Sequence, residues 1–124
     1  MTMQRAFLAA VAGALVLTVP VQAASSTSKG QISITQVVQL IEQSSQDNAA
    51  RNAAMAYLAG VGEATGLLVA ESARRPSGVS CQSALSISSE SALAAVSRTA
   101  RGKWSETAAT PILVEDMLDR AGCR

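Results

Sequence analysis

At 124 residues, with ten basic and nine acidic side chains and a formal charge of +1, the chain has the length of a single domain and almost no net charge. That balance excludes the basic surplus through which proteins grip nucleic acid by counterion release, and no polybasic run points to an anionic membrane surface. The sequence has no histidine, which removes the commonest general base, every histidine-dependent triad and the usual zinc sets.

The first residues read as an export signal. Arg5 supplies one positive charge, residues 6–19 are apolar or small apart from Thr18, Pro20 breaks the run, and Val21-Gln22-Ala23 offers small residues at a cleavage site. An apolar stretch of about 14 residues covers about 21 Å as a helix, short of the ~20 residues that a bilayer core requires. A signal peptide over residues 1–23 is therefore expected, cut after Ala23 with Ala24 as the alternative. No cysteine stands near the cut to take a lipid, and a single arginine favours export of the unfolded chain. The expected product is periplasmic, soluble and free of the membrane. Loss of Arg5 leaves nine side chains of each sign.

Residues 24–31 are rich in serine, threonine and glycine and read as a flexible leader, so the domain proper spans residues 32–124. A first helix is predicted from about Ile34, because Ser33-x-x-Gln36 has the form of a capping box and Val37, Val38, Leu40 and Ile41 follow on one side. Asp47 or Asn48 can cap the second helix. Its apolar face repeats at three and four through Ala50, Ala54, Tyr57, Leu58, Val61, Ala64 and Leu68. Gly60, Gly62 and Gly66 each cost about 1 kcal/mol there relative to alanine. They either bend the helix or, in the preferred reading, let another helix approach along Ala56-Gly60-Ala64.

Pro76 and Gly78 mark a loop over residues 72–80, with Arg74 and Arg75 at its entrance. Leu85, Ile87, Leu93 and Val96 belong to a third element capped by Ser88 or Ser89, with Glu90 in its first turn and Gly102 as its stop. A fourth helix starts at Ser105 or Thr110, with Pro111 in its first turn or at a kink. Thr110, Leu113, Val114, Met117, Leu118 and Ala121 share one face; Glu115, Asp116, Asp119 and Arg120 take the other, and Gly122 ends the helix. No strand-like alternation persists, so the fold class is all-α with four helices.

A core in which alanine is common and large aromatics are few buries modest apolar area, and such small domains often require a staple. Cys81 and Cys123 are an even pair in an oxidising compartment, which favours a disulfide over two free thiols or a metal pair. It would close a loop of about 43 residues and contribute about 4 kcal/mol in the chain-entropy model.

Catalytic chemistry finds little support. A serine nucleophile would depend on Lys29 or Lys103 as base, one in the leader and the other in a turn. The acidic residues Glu115, Asp116 and Asp119 fall on a solvent face with no aromatic platform for a sugar. Gly60-Val61-Gly62 is no dinucleotide loop, since Thr65 replaces the last glycine and no strand precedes it. No catalytic, cofactor-binding or metal-binding residue is therefore assigned and no cofactor is expected. Arg74 and Arg75 form a basic spot suited to an acidic protein surface, and Trp104 is read as an anchor between helices.

The order Tyr57-Leu58-Ala59-Gly60-Val61, then Cys81 after a loop, then Leu93-Ala94-Ala95-Val96, then a last helix over residues 108–118 closing on Cys123, resembles the type VI secretion amidase-immunity (Rap/Tai) family. In place of that family's further cysteine before the helix aromatic stands Ala54, and Ser80 and Gln82-Ser83 flank Cys81 where an aromatic and a proline are usual. The resemblance implies a small periplasmic helical protein, often a homodimer. Such a protein inhibits a peptidoglycan amidase without catalysis of its own, and position alone makes the 72–80 loop the contact. Two other functions fit an exported single-bridge helical domain: a small periplasmic stress chaperone, and an accessory protein of a secretion or conjugation envelope complex.

Overall fold

The computed structural model describes residues 26–124. The predicted signal sequence lies outside the described residues. Four helices form the domain: α1 (Ile34–Gln43), α2 (Asn48–Ser72), α3 (Ser89–Val96) and α4 (Ala109–Arg120), with one turn of 3-10 helix (Arg101–Lys103) before the last. The fold is all-α, as expected, and no strand is present among the described residues.

Helix starts follow their caps. Ser33 Oγ accepts from the Gln36 amide at 3.2 Å while Gln36 Oε1 accepts from the Ser33 amide at 2.9 Å, a complete capping box. Asp47 Oδ1 accepts from the Ala49 amide at 2.9 Å, and Ser88 caps α3 through the Ser91 amide at 3.1 Å. Ala108, in the cap position of α4, has no side chain able to do this. Instead the two helix starts satisfy one another. The Ile34 amide donates to the Thr107 carbonyl at 3.0 Å and the Ala109 amide donates to the Ile32 carbonyl at 2.9 Å, around an isolated antiparallel bridge of Ser33 with Ala108. Ser33, Ile34 and Ala109 are wholly buried there.

The core lies between these elements. Ile34, Val37, Val38 and Ile41 of α1 meet Ala54, Leu58 and Val61 of α2, while α3 and α4 close it with Ala92, Ala95, Val96, Leu113 and Met117. Alanines on α2 and α3 bring the backbones close where large side chains are scarce. Across the α2–α4 contact the Tyr57 and Thr110 hydroxyls hydrogen-bond at 2.9 Å, and burial pushes the Tyr57 phenol above its ordinary pKa despite that bond. Trp104 is half-buried, as an anchor should be, with its indole N–H donating to the Thr99 carbonyl at 2.9 Å and the Arg101 guanidinium 5.4 Å from the ring centre.

Several expectations change. α2 runs unbroken through its three glycines, and among the described residues no element packs into the Ala56-Gly60-Ala64 row, where a Cβ on Gly60 would meet nothing within 4 Å. Gly62 is the position that admits a neighbour, since its Cβ would stand 3.3 Å from Ile87 Cγ2. Leu85 and Ile87 precede α3 in an irregular approach segment, and α3 stops at Val96, well before Gly102. The leader is not loose over its described part: Thr27 is buried, its hydroxyl accepts from the Gln31 amide at 3.1 Å, and Glu106 Oε2 accepts from the Ser28 amide at 3.1 Å. That backbone donor holds the Glu106 carboxyl below its usual range.

Asp116 also departs from its predicted solvated face, being only 13% exposed and receiving Arg98 Nη2 and Arg120 Nε at 2.7 Å each. Arg120 continues to the Ser86 carbonyl at 2.7 Å, so one carboxylate ties the end of α3 and the approach segment to α4. Burial pushes the Asp116 pKa up, but the two guanidinium partners outweigh it and leave the group below its ordinary value. A carboxyl lowered in the folded state stabilises above its unfolded pKa, about 3.9, and loses that contribution as pH falls toward its folded value. Asp116→Asn should lower stability by about 1–2 kcal/mol at neutral pH. Urea melts against pH should find this difference constant above about pH 5 and shrinking below about pH 4.

Cys81 and Cys123 form the disulfide, with Cα atoms 3.9 Å apart. They sit beside a short antiparallel pairing in which Ser80 and Arg124 exchange both backbone hydrogen bonds at 2.9 Å. Gly122, at φ +65°, turns the chain out of α4, with the Cys123 amide on the Leu118 carbonyl and the Gly122 amide on the Asp119 carbonyl. These two bonds make a Schellman stop, and any side chain at 122 would be strained. Cys81→Ser with Cys123→Ser should cost about 4 kcal/mol in urea unfolding. Hydrogen exchange should speed up first at the Ser80 and Arg124 amides.

Candidate interaction surface

Ser72, the last residue of α2, organises the loop that carries Arg74 and Arg75. Its carbonyl accepts from the Arg75 amide at 2.9 Å, and its hydroxyl accepts from the Val79 amide at 3.0 Å. Gly78 folds directly onto it, since a Cβ there would overlap the Ser72 carbonyl. The Gly78 amide completes the turn on the Arg75 carbonyl at 3.0 Å. The loop is thus closed at its base by Ser72 and at its exit by the Ser80–Arg124 pairing and the disulfide. Its sequence legibility came from Pro76 and Gly78; its pinning on Ser72 has no local signature.

Arg74 and Arg75 both project to solvent. Arg74 reaches Glu71 at 3.0 Å, but with the two side chains 77% and 58% exposed the pair is screened and contributes little. Arg75 has no ion-pair partner among the described residues. Both guanidiniums are therefore available to a carboxylate or a carbonyl edge on another molecule.

Where the loop returns, Val79 forms one wall of an open groove of about 450 Å³. Pro111, Val114 and Leu118 of α4 supply its apolar floor, Cys123 closes one side, and Glu115, Asp119 and Arg124 stand at the rim. Glu115 and Asp119 are exposed, as predicted from the helix face. The groove therefore combines an apolar floor with an acidic edge, and the loop that reaches it through Val79 carries the two cations. Sequence reading found the cations and both carboxylates. It missed the groove, because Val79 comes from a segment with no periodicity and Val114 and Leu118 read simply as core.

The two lysines considered as bases are exposed, Lys29 in the N-terminal turn and Lys103 in the 3-10 turn, and neither side chain is hydrogen-bonded to a serine among the described residues. Compared with protein-family models, with curated proteins and with solved structures, the chain matches none.

Proposed function

We propose that this chain is a non-catalytic binding protein of the periplasm, an inhibitor that acts as an immunity protein against a peptidoglycan amidase. The observation that carries this reading is the loop over residues 72–80, held at both ends to a disulfide-closed helical body while it presents two exposed arginines and returns through Val79, a wall of an apolar groove. A recognition loop fixed before binding loses little conformational freedom on association, which is the main way a small contact reaches high affinity. Arginine is among the side chains that carry most of the binding energy at tight interfaces. The amidase as target comes from the family resemblance, through the order of helix, mid-chain cysteine, two helices and terminal cysteine.

In this reading the arginines meet acidic or carbonyl groups at the mouth of the amidase cleft, the loop blocks entry of the peptide stem, and the groove takes an apolar side chain from the enzyme's rim. Titration calorimetry of the purified protein against each peptidoglycan amidase encoded beside its gene should give nanomolar affinity for one of them. The double change Arg74→Glu, Arg75→Glu should weaken that binding at least tenfold with an unchanged melting temperature. No heat with any such amidase would end the proposal.

A further inference from the structure

From the groove along α4 we infer that the protein docks a basic amphipathic helix of a partner protein. The inference deepens the inhibitor reading and rests on it for the source of that helix. Pro111, Val114 and Leu118 follow one another at three and four residues, so they make an apolar strip about 10 Å long on one side of α4. Val114 and Leu118 are only half-buried, and Pro111 is exposed. The groove over this strip, about 450 Å³, falls in the ~300–1,000 Å³ range of ligand pockets.

Charge names the occupant. Glu115 and Asp119 lie one turn apart on the flank of the strip, about 40° and 80° round from Pro111, and both are exposed. Neither has an ion-pair partner among the described residues. Two carboxylates about 6 Å apart along α4 match cations four residues apart on a second helix, where one turn rises about 5.4 Å. Arg124, at the end of the groove, repels such cations and confines them to the stretch beside the two carboxylates. The sign is opposite to that sought by Arg74 and Arg75, so the loop and the groove read different parts of a partner.

Backbone chemistry selects a helix over a strand. The Val79 amide is on Ser72 Oγ, the Ser80 amide and carbonyl are on Arg124, and the Gln82 and Ser83 amides are on the Ala121 carbonyl. The wall of the groove therefore has no run of free donors to hold an added strand, whose own backbone would lie unpaired over an apolar floor. A helix arrives with its backbone bonds made and needs only side-chain contacts. The apolar strip then supplies most of the affinity, and the exposed rim, screened by salt, supplies selection. A contact this short belongs at the weak end of protein interfaces, with a Kd on the order of 10 micromolar.

Fluorescence anisotropy tests this with a labelled leucine–lysine peptide of about 14 residues, its leucines three and four apart and its lysines four apart. The purified protein should bind it at least tenfold more tightly than the same peptide with glutamate for lysine. It should also prefer it at least tenfold over a peptide of the same composition in strict alternation. Glu115→Lys with Asp119→Lys should invert the charge preference without lowering the melting temperature, since both side chains project to solvent. Glu42→Lys with Glu63→Lys, an equal change of charge on α1 and α2, should leave the preference intact. Amide chemical shifts on binding should move most at Val79, Val114 and Leu118. No binding into the hundreds of micromolar overturns the inference, as does a charge preference that survives the α4 reversal, or tighter binding of the alternating peptide. Because no amidase takes part, a negative result here leaves the inhibitor reading to its own calorimetry.

Discussion

The domain depends on two buried helix starts that complete one another. An α-helix begins with amides that have no partner in their own helix, and burying such a donor unpaired costs about 1–3 kcal/mol. At the foot of α1 and α4, where Ser33, Ile34 and Ala109 are wholly buried, each helix lends the other a carbonyl from the residues just ahead of it. This fixes residues 32–34 against residues 107–109 although more than half the chain separates them. With that register set, Ile34 and Ala109 are in the core, where α1 and α4 pack with α2 and α3.

Such a constraint matters more because the core is lean. Alanine occupies buried positions on every helix except α1, and the largest wholly buried side chains are Ile34, Leu113 and Met117. Area burial at about 25 cal/mol per Å² gives a domain of this kind a modest drive to fold. Directional links do the rest: the bridge at one end, the disulfide at the other, and between them the Arg98–Asp116–Arg120 network and the Tyr57–Thr110 hydroxyl pair. The end closed by sulfur is the end that carries the arginine loop and the groove, so the rigidity that stabilises the fold also shapes the candidate interaction surface.

Features written in a few adjacent residues could be read directly from the sequence. The Ser33 and Gln36 box, the Asp47 and Ser88 caps, the Gly122 stop and the buried Leu113–Met117 side of α4 are each a matter of spacing within one or two turns, and the structure follows them. The cysteine pairing needed only a count, since the chain has two cysteines. What stayed hidden depends on partners distant in sequence. Asp116 reads as solvated until Arg98 arrives from the end of α3, and Leu85 and Ile87 mimic a helical stripe although they lie in an irregular approach whose Ile87 packs by Gly62. The small-residue row of α2 was legible as a place for close approach, but no helix among the described residues approaches it. The loop was visible through its proline and glycine, whereas the groove beside it arises only when Val79 is folded over α4.

The covalent tie between Cys81 and Cys123 has a mechanical corollary. Tension applied at the two ends of the polypeptide is carried through sulfur and skips the enclosed stretch, whose partners are 42 residues apart in sequence. About 150 Å of contour length is thereby withheld from extension, at roughly 3.6 Å per residue. A force that strips α1 and α2 from the body would leave α3 and α4 inside an unloaded ring, able to serve as a template when the load is released.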